Sequence, residues 1–562
     1  MKKILALVLA LAMSLTLFAG CGPKDNQTDV GNNDKPSSNT PAQPSVDLSD
    51  AQGGEIGGDT EEVITGTGAQ ELTIGITSDI GSFYPGGAGQ APVKVKRVMC
   101  YETLFFKDND GEFHPILAKS YESKGNGTYE IELFDYIKDS QGNPMTAEDI
   151  VYSVELYIKD GQNSSTWATI TESKAVDTYK YQVTFAPETT GQLSDFLTRV
   201  PMVTKAAWEN SPDEMATYPV GTGGYVLNKE ASTTGAVYVF DRRDDYWQTD
   251  EQYICARNKN NLEKLTVKVI PDVSTLATEL QTGGIDFATE IATNDWQLFL
   301  NDDATTKEGF ISMPGQNNAF VHMTFNCGPE SPCQDIKLRQ AIAYCIDSAA
   351  LAYSIYGNMG QVCNAPTNPN LADSGLEFGD DDYWNYDPAK AKQLVEESSY
   401  NGETLEMLVL PKVTITPAAT LIQAYCNAAG IKINLQTPKM AEFRKIRTEP
   451  TGTVYDIELL GATSADDTVY VSVKELDNRA YSNGLGRHFV PDDKLQELYE
   501  KTGDATTTSP EVIQQLLNHI DENLYIYGMY YCPNLFFGNS KIVGGTCIAF
   551  DDAIYPSFIV NN

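Results

Sequence analysis

Apolar positions along this chain follow two rhythms, and both recur often enough to bear on the fold class. Leu72, Ile74 and Ile76 alternate with polar residues, the period of a half-buried strand. Tyr129, Ile131 and Leu133 repeat that period just after Asn126-Gly127, which predicts a strand leaving a tight hairpin. The helical period occurs elsewhere. Thr146, with Asp149 three residues on, can cap a helix whose buried face would carry Val151, Val154 and Ile158. Leu338, Ala341, Ile342, Cys345 and Ile346 predict a second helix starting near Asp335, and Asp387-Pro388 places a capping carboxylate and a preset proline at the head of a third. From pattern alone the class is α/β or α+β.

These rhythms begin only near Gln70. Residues 22–69 hold no aromatic side chain and are rich in Gly, Asn, Asp, Ser, Thr and Pro, so 21–69 is predicted to be a disordered tether. A coil of that length has an end-to-end distance of roughly 40 Å. Ahead of it, Lys2 and Lys3 precede a charge-free apolar run from Ile4 to Phe18, too short to span a bilayer, and 1–20 reads as a signal peptide. Ala19-Gly20-Cys21 resembles a lipobox, in which Cys21 takes a diacylglyceryl group and becomes the mature N-terminus. Two acyl chains make a stable anchor where one does not. The remaining length exceeds one core, so two or three domains are expected.

Charge removes one class of partner. Against 77 acidic residues stand 40 Lys and Arg, with no basic run beyond the signal, so nucleic acid is excluded. Ten cysteines include Cys21; the other nine cannot all pair, no C-x-x-C occurs, and Cys327 with Cys333 could close a short loop or remain as buried thiols. The four histidines never form H-E-x-x-H, and Asp108-Asn109-Asp110-Gly111 falls a residue pair short of a calcium loop and reads as a turn. No metal or cofactor is expected. Gly221-Thr222-Gly223-Gly224 lacks phosphate-loop spacing, and its glycines are expected to supply positive φ near a lobe crossing. With no G-x-S-x-G elbow or other hydrolase signature, the chain reads as a non-enzyme.

The order of longer motifs is more specific. Tyr101-Glu102-x-Leu104, Pro115-x-Leu117-Ala118-Lys119-Ser120-Tyr121 and Pro144-Met145-Thr146-Ala147-Glu148-Asp149 are followed by Pro219-Val220-Gly221-Thr222-Gly223-Gly224-Tyr225 and Arg242-x-Asp244-Asp245-Tyr246-Trp247. Asp335-x-x-Leu338-Arg339-Gln340-Ala341, Tyr356-Gly357, Ala365-Pro366 and Tyr386-Asp387-Pro388-x-Lys390-Ala391-Lys392 continue the series. The set resembles the solute-binding proteins of peptide-type ABC importers, the bacterial extracellular solute-binding protein family 5, in its lipoprotein form. That resemblance implies an α/β, two-lobed, periplasmic-binding-protein-like (type II) fold with a hinge and an extra domain in the first lobe. It places 70–97, 220–325 and 528–562 in domain I of lobe 1, 98–219 in inserted domain II, and 326–527 in lobe 2.

The same resemblance implies a monomer that takes a short peptide or other small solute and meets permease and ATPase subunits, held at the outer face of the cytoplasmic membrane by lipid. Asp466 in Thr463-Ser464-Ala465-Asp466-Asp467 matches the family aspartate that accepts a peptide's α-ammonium group. Ser464 and Asp467 join it as ligand-binding candidates, and Arg444 and Arg447 are candidates for a ligand carboxylate. The tryptophan that commonly precedes this aspartate and the Asp-Pro that commonly follows are both missing, which keeps an oligosaccharide or a nickel chelate open as the solute. An anchored envelope peptidase is the rival from another class.

Overall fold

The computed structural model describes residues 55–56, 66–86, 91–108, 111–160, 169–186, 192–314, 319–369, 371, 373–376, 384–412, 415–447, 455–463, 468–477, 492–504, 507–531, 535–548 and 552–562. Cys21, Ser464, Asp466 and Asp467 fall outside these residues.

Strands β1 (Glu55–Ile56) and β2 (Glu71–Ile76) come first. An insertion carries β3 (Phe105–Lys107), β4 (Phe113–Pro115), β5 (Ala118–Gly125), β6 (Thr128–Leu133), β7 (Ile170–Asp177) and β8 (Lys180–Phe185). β9 (Tyr225–Leu227), β10 (Val237–Arg242), β11 (Lys264–Val269), β12 (Phe287–Ala288) and β13 (Phe310–Pro314) then join β2. β14 (Ala319–Phe325), β15 (Gln361–Val362), β16 (Thr404–Val409), β17 (Lys432–Gln436), β18 (Ile457–Thr463) and β19 (Ile526–Tyr531) form another group, and β20 (Leu535–Asn539), β21 (Ile542–Ile548) and β22 (Asp552–Val560) end the chain.

Two mixed sheets dominate. The first has the order β13-β20-β12-β2-β11-β10-β9 and the second β15-β19-β14-β18-β16-β17. The chain passes from the first to the second between β13 and β14 and returns between β19 and β20. Strand pairing sets sheet membership on either side of the crossings. β14 pairs with β18 and β19, so 319–325 belongs to the second sheet, and so does β19 as far as Tyr531. The insertion has its own four-stranded antiparallel sheet, β5-β6-β8-β7, and a core that runs from Leu104 to Met202 and takes in Trp247 and Ile554 from outside it. Val203, Ala207, Trp208 and Met215 instead pack in the core of the first sheet, so the insertion closes earlier than residue 219.

Local readings resolve individually. Asn126 and Gly127 both take positive φ, 52° and 71°, between paired residues Gly125 and Thr128, as the hairpin required. The helix Ala147–Asp160 is capped by Asp149, whose Oδ2 accepts from the Thr146 amide at 2.7 Å and hydroxyl at 2.9 Å. Its face is rotated from the expected one: Ile150, Val154 and Tyr157 are buried, whereas Ile158 is 45% exposed. In the helix Ile336–Cys345, Leu338, Ala341, Ile342 and Cys345 are buried and Asp335 caps, and Asp387 accepts from the Ala389 and Lys390 amides at the head of Pro388–Glu397.

Two expectations change, and the open choice between a bridge and free thiols is settled. Gly221, Gly223 and Gly224 do not adopt positive φ; a Cβ on Gly221 would lie 2.2 Å from the Cys100 carbonyl oxygen, so close backbone approach is what demands glycine. Cys327 and Cys333 are buried free thiols, as are the other described cysteines except half-buried Cys255, also free. Within the expected tether, residues 55–56 and Thr67 pair with residues near the C-terminus. Glu55 and Ile56 pair with Thr546 and Gly545, which makes β21 the middle strand of the sheet β1-β21-β22, and the Thr67 amide donates to Asn561 Oδ1 at 3.0 Å.

Candidate functional site in the cleft between the sheets

Strand direction locates the site. β2, β11 and β12 are parallel, and β12 is antiparallel to β20, whose first residue, Leu535, follows the return crossing. β16, β17 and β18 are parallel and run opposite to β14, whose first residue follows the outward crossing. The carboxyl ends of parallel strands from both sheets therefore converge at the two crossings, the position at which open α/β sheets bind ligands.

On the first-sheet side, residues 77–86 leave β2. The Thr77 amide and hydroxyl both donate to Glu290 Oε2, the amide at 2.9 Å, and the Tyr238 hydroxyl donates to Asp79. Lys96 Nζ donates to the Ser82 carbonyl at 2.8 Å and to the Tyr84 carbonyl, while the Tyr101 hydroxyl donates to the Phe83 carbonyl between them at 2.8 Å. On the second-sheet side, β18 ends at Thr463, paired with Ala319, and the chain resumes in the short helix Val469–Ser472. The Val469 amide donates to Asp373 Oδ1 at 2.9 Å, and the Ser472 and Thr367 hydroxyls are 2.7 Å apart. Phe320, Cys363, Ala365 and Tyr531 make a small apolar cluster at this end.

Arg447, a candidate for a ligand carboxylate, ends the helix Met440–Arg447. Its guanidinium forms one ion pair with Glu458 and a second, at 3.1 Å, with Glu475. Glu475 in turn meets His322 Nε2 at 3.1 Å, and the His322 ring stacks on Phe320 with centroids 4.6 Å apart. Glu458 is fully buried. Burial acts to lower the Arg447 pKa, but Glu458 and Glu475 outweigh it and hold the guanidinium charged. The side chain of Arg444 is outside the described set.

Sequence reasoning missed Glu458, Glu475 and His322. A signal existed for two of them: Glu458 interrupts the apolar run Ile457-x-Leu459-Leu460, and His322 interrupts Phe320-Val321-x-Met323. A titratable residue inside a buried strand requires a partner. Elsewhere, Asp108, Glu112 and His114 bring ligating atoms within 4.8 Å of one another at the turn between β3 and β4. Asp108 already serves that turn, accepting from the Glu112 amide at 2.9 Å and meeting His114 Nε2 at 2.6 Å.

The family model for the middle part of bacterial extracellular solute-binding proteins, family 5, matches residues 112–480. The chain belongs to this family. Its members bind solutes and are not enzymes. Among relatives of this binding protein, heme-binding protein A of Haemophilus influenzae is 28% identical over 240 residues, 42% of this chain and 40% of that protein. A probable peptide ABC transporter periplasmic-binding protein of Sinorhizobium fredii is 27% identical over 325 residues, 55% of this chain and 59% of that one. The chain thus spans less than two thirds of the length of each. NikA from Brucella suis, solved with Fe(III)-EDTA, superposes with a TM-score of 0.73 at 18% identity over 87% of this chain and 100% of that one, which establishes the two-lobed type II fold.

Proposed function

We propose that this binding protein is the lipid-anchored receptor of an ABC importer, capturing short peptides between its two lobes and delivering them to a membrane permease and its ATPase subunits. The observation that carries this reading is the convergence of strand ends from both sheets at two short crossings. A solute held there touches both lobes at once, and only such differential contact drives closure. Asp466 supplies the carboxylate for the peptide's α-ammonium group, with Ser464 and Asp467 beside it; all three follow β18 directly. Arg447 acts from behind, neutralising buried Glu458 on the strand that leads to them and Glu475 beyond them. The receptor works as a monomer, and Cys21 holds it at the outer face of the membrane.

A second reading keeps the scaffold and changes the solute. It is favoured by the missing tryptophan and Asp-Pro around Asp466, and by relatives named for heme or solved with an iron chelate. Native mass spectrometry of the purified chain separates the two: a co-purifying peptide supports the first, and a chelate or sugar overturns it. The anchor has its own test. Cys21→Ala should release the protein from the membrane fraction, and unchanged retention would remove the lipid from the proposal.

A further inference from the structure

Lys96 is 4% exposed, yet both of its acceptors are main-chain carbonyls, those of Ser82 and Tyr84. The Phe83 carbonyl between them faces inward too, accepting from the Tyr101 hydroxyl. Three successive carbonyls thus turn into the protein around one ammonium and one phenol. The amides of the same residues are used as well: Phe83 donates to the Ala216 carbonyl at 2.8 Å and Tyr84 to Ser82 Oγ at 3.1 Å. The Tyr84 ring closes the arrangement edge-on against Trp208 at 5.5 Å.

An ammonium is an expensive group to bury, and a methionine of similar length would fill the same space without that cost. A lysine there makes physical sense if the carbonyls must be held where they are. They lie on the segment that leaves the carboxyl end of β2, the side of the cleft formed by the first sheet. We propose that Lys96 is a positioning residue of the solute site, its ammonium setting the course of residues 82–84 and, through them, the backbone that the first lobe offers to the solute. The inference rests on the cleft being that site. Burial lowers the Lys96 pKa to about 8, against a smaller opposing effect of Cys100, which agrees with a real desolvation cost.

The test uses the full chain and compares wild type with Lys96→Met and Lys96→Arg. In hydrogen exchange at pH 7 without solute, the amides of Ser82, Phe83 and Tyr84 should exchange at least about ten-fold faster in Lys96→Met, with β5 to β8 unchanged, and Lys96→Arg should fall between. Equal exchange in wild type and Lys96→Met would overturn the proposal. A pH series adds a readout that packing alone would not move. Between about pH 8 and 10.5 the unfolded chain binds more protons at this lysine than the folded chain, so wild type should gain stability relative to Lys96→Met as pH rises through that window. A flat difference would count against a buried ammonium. Should Lys96→Met fail to fold, Lys96→Gln, which keeps an amide NH2 donor but no charge, is read the same way. Finally, with a random tripeptide mixture as probe, Lys96→Met should capture less than wild type; equal capture would break the link to binding. No capture by wild type would sink the peptide reading alone, since the exchange and pH arms need no solute.

Discussion

Thr463 and Ala319 are partners in register, so β18 ends beside the point where the chain enters the second sheet. Residues 464–467 follow that end directly in the sequence. If Asp466 accepts an α-ammonium group, Asp466→Ala should lose about 1.5–3 kcal/mol of binding to a free-amine peptide, the contribution of a hydrogen bond to a charged group. Calorimetry with that peptide and its N-acetylated form checks this. Equal loss for both forms would point to a different role.

The Arg447 clasp can be taken apart in two ways. Arg447→Met leaves the fully buried Glu458 without its cation and should cost about 3–5 kcal/mol of stability. Arg447→Met with Glu458→Gln and Glu475→Gln removes every charge of the trio and should recover most of that loss. Urea unfolding of both variants decides; a single variant as stable as wild type would show the ion pairs to be incidental.

Asp521 accepts from Trp384 Nε1 at 2.8 Å, and burial, aided by Glu522, raises its pKa to about 6. In the unfolded chain it ionises nearer 3.8, so between these values the folded state holds the extra proton. Stability contributed by the protonated form is complete below the lower value and lost as pH rises through the upper one. Asp521→Asn should therefore melt above wild type at pH 7.5 and level with it at pH 4. A constant offset across that range in calorimetry would contradict the assignment.

Gly528 lies in β19 opposite His322, and a Cβ there would come within 2.3 Å of the Ala365 carbonyl oxygen and 2.5 Å of that of Cys363. Gly528→Ala should destabilise by about 1–3 kcal/mol, the usual cost of overpacking, because both neighbours are backbone. Thermal unfolding would show it, and an unchanged midpoint would mean that 363–365 can move away.

Much of this protein is written in local sequence. Asn126-Gly127, Asp335 and Asp387-Pro388 determine their turn and caps because the interactions span only a few residues. The ordered motifs carried the family and its two-lobed α/β class. Tertiary structure decided what depends on residues far apart in the chain. Ile158 has the helical period of a core residue but faces solvent, since the neighbouring elements rather than the period select the face. Strand pairing put the crossings between Pro314 and Ala319 and between Tyr531 and Leu535, and paired Glu55–Ile56 with β21 almost five hundred positions away. Arg447 could be read as a candidate for a ligand carboxylate until folding set it between Glu458 and Glu475, and Lys96 as one more basic residue until folding closed three carbonyls around it and the Tyr101 hydroxyl. A charge takes its role from the groups that surround it in space, and linear order does not contain them.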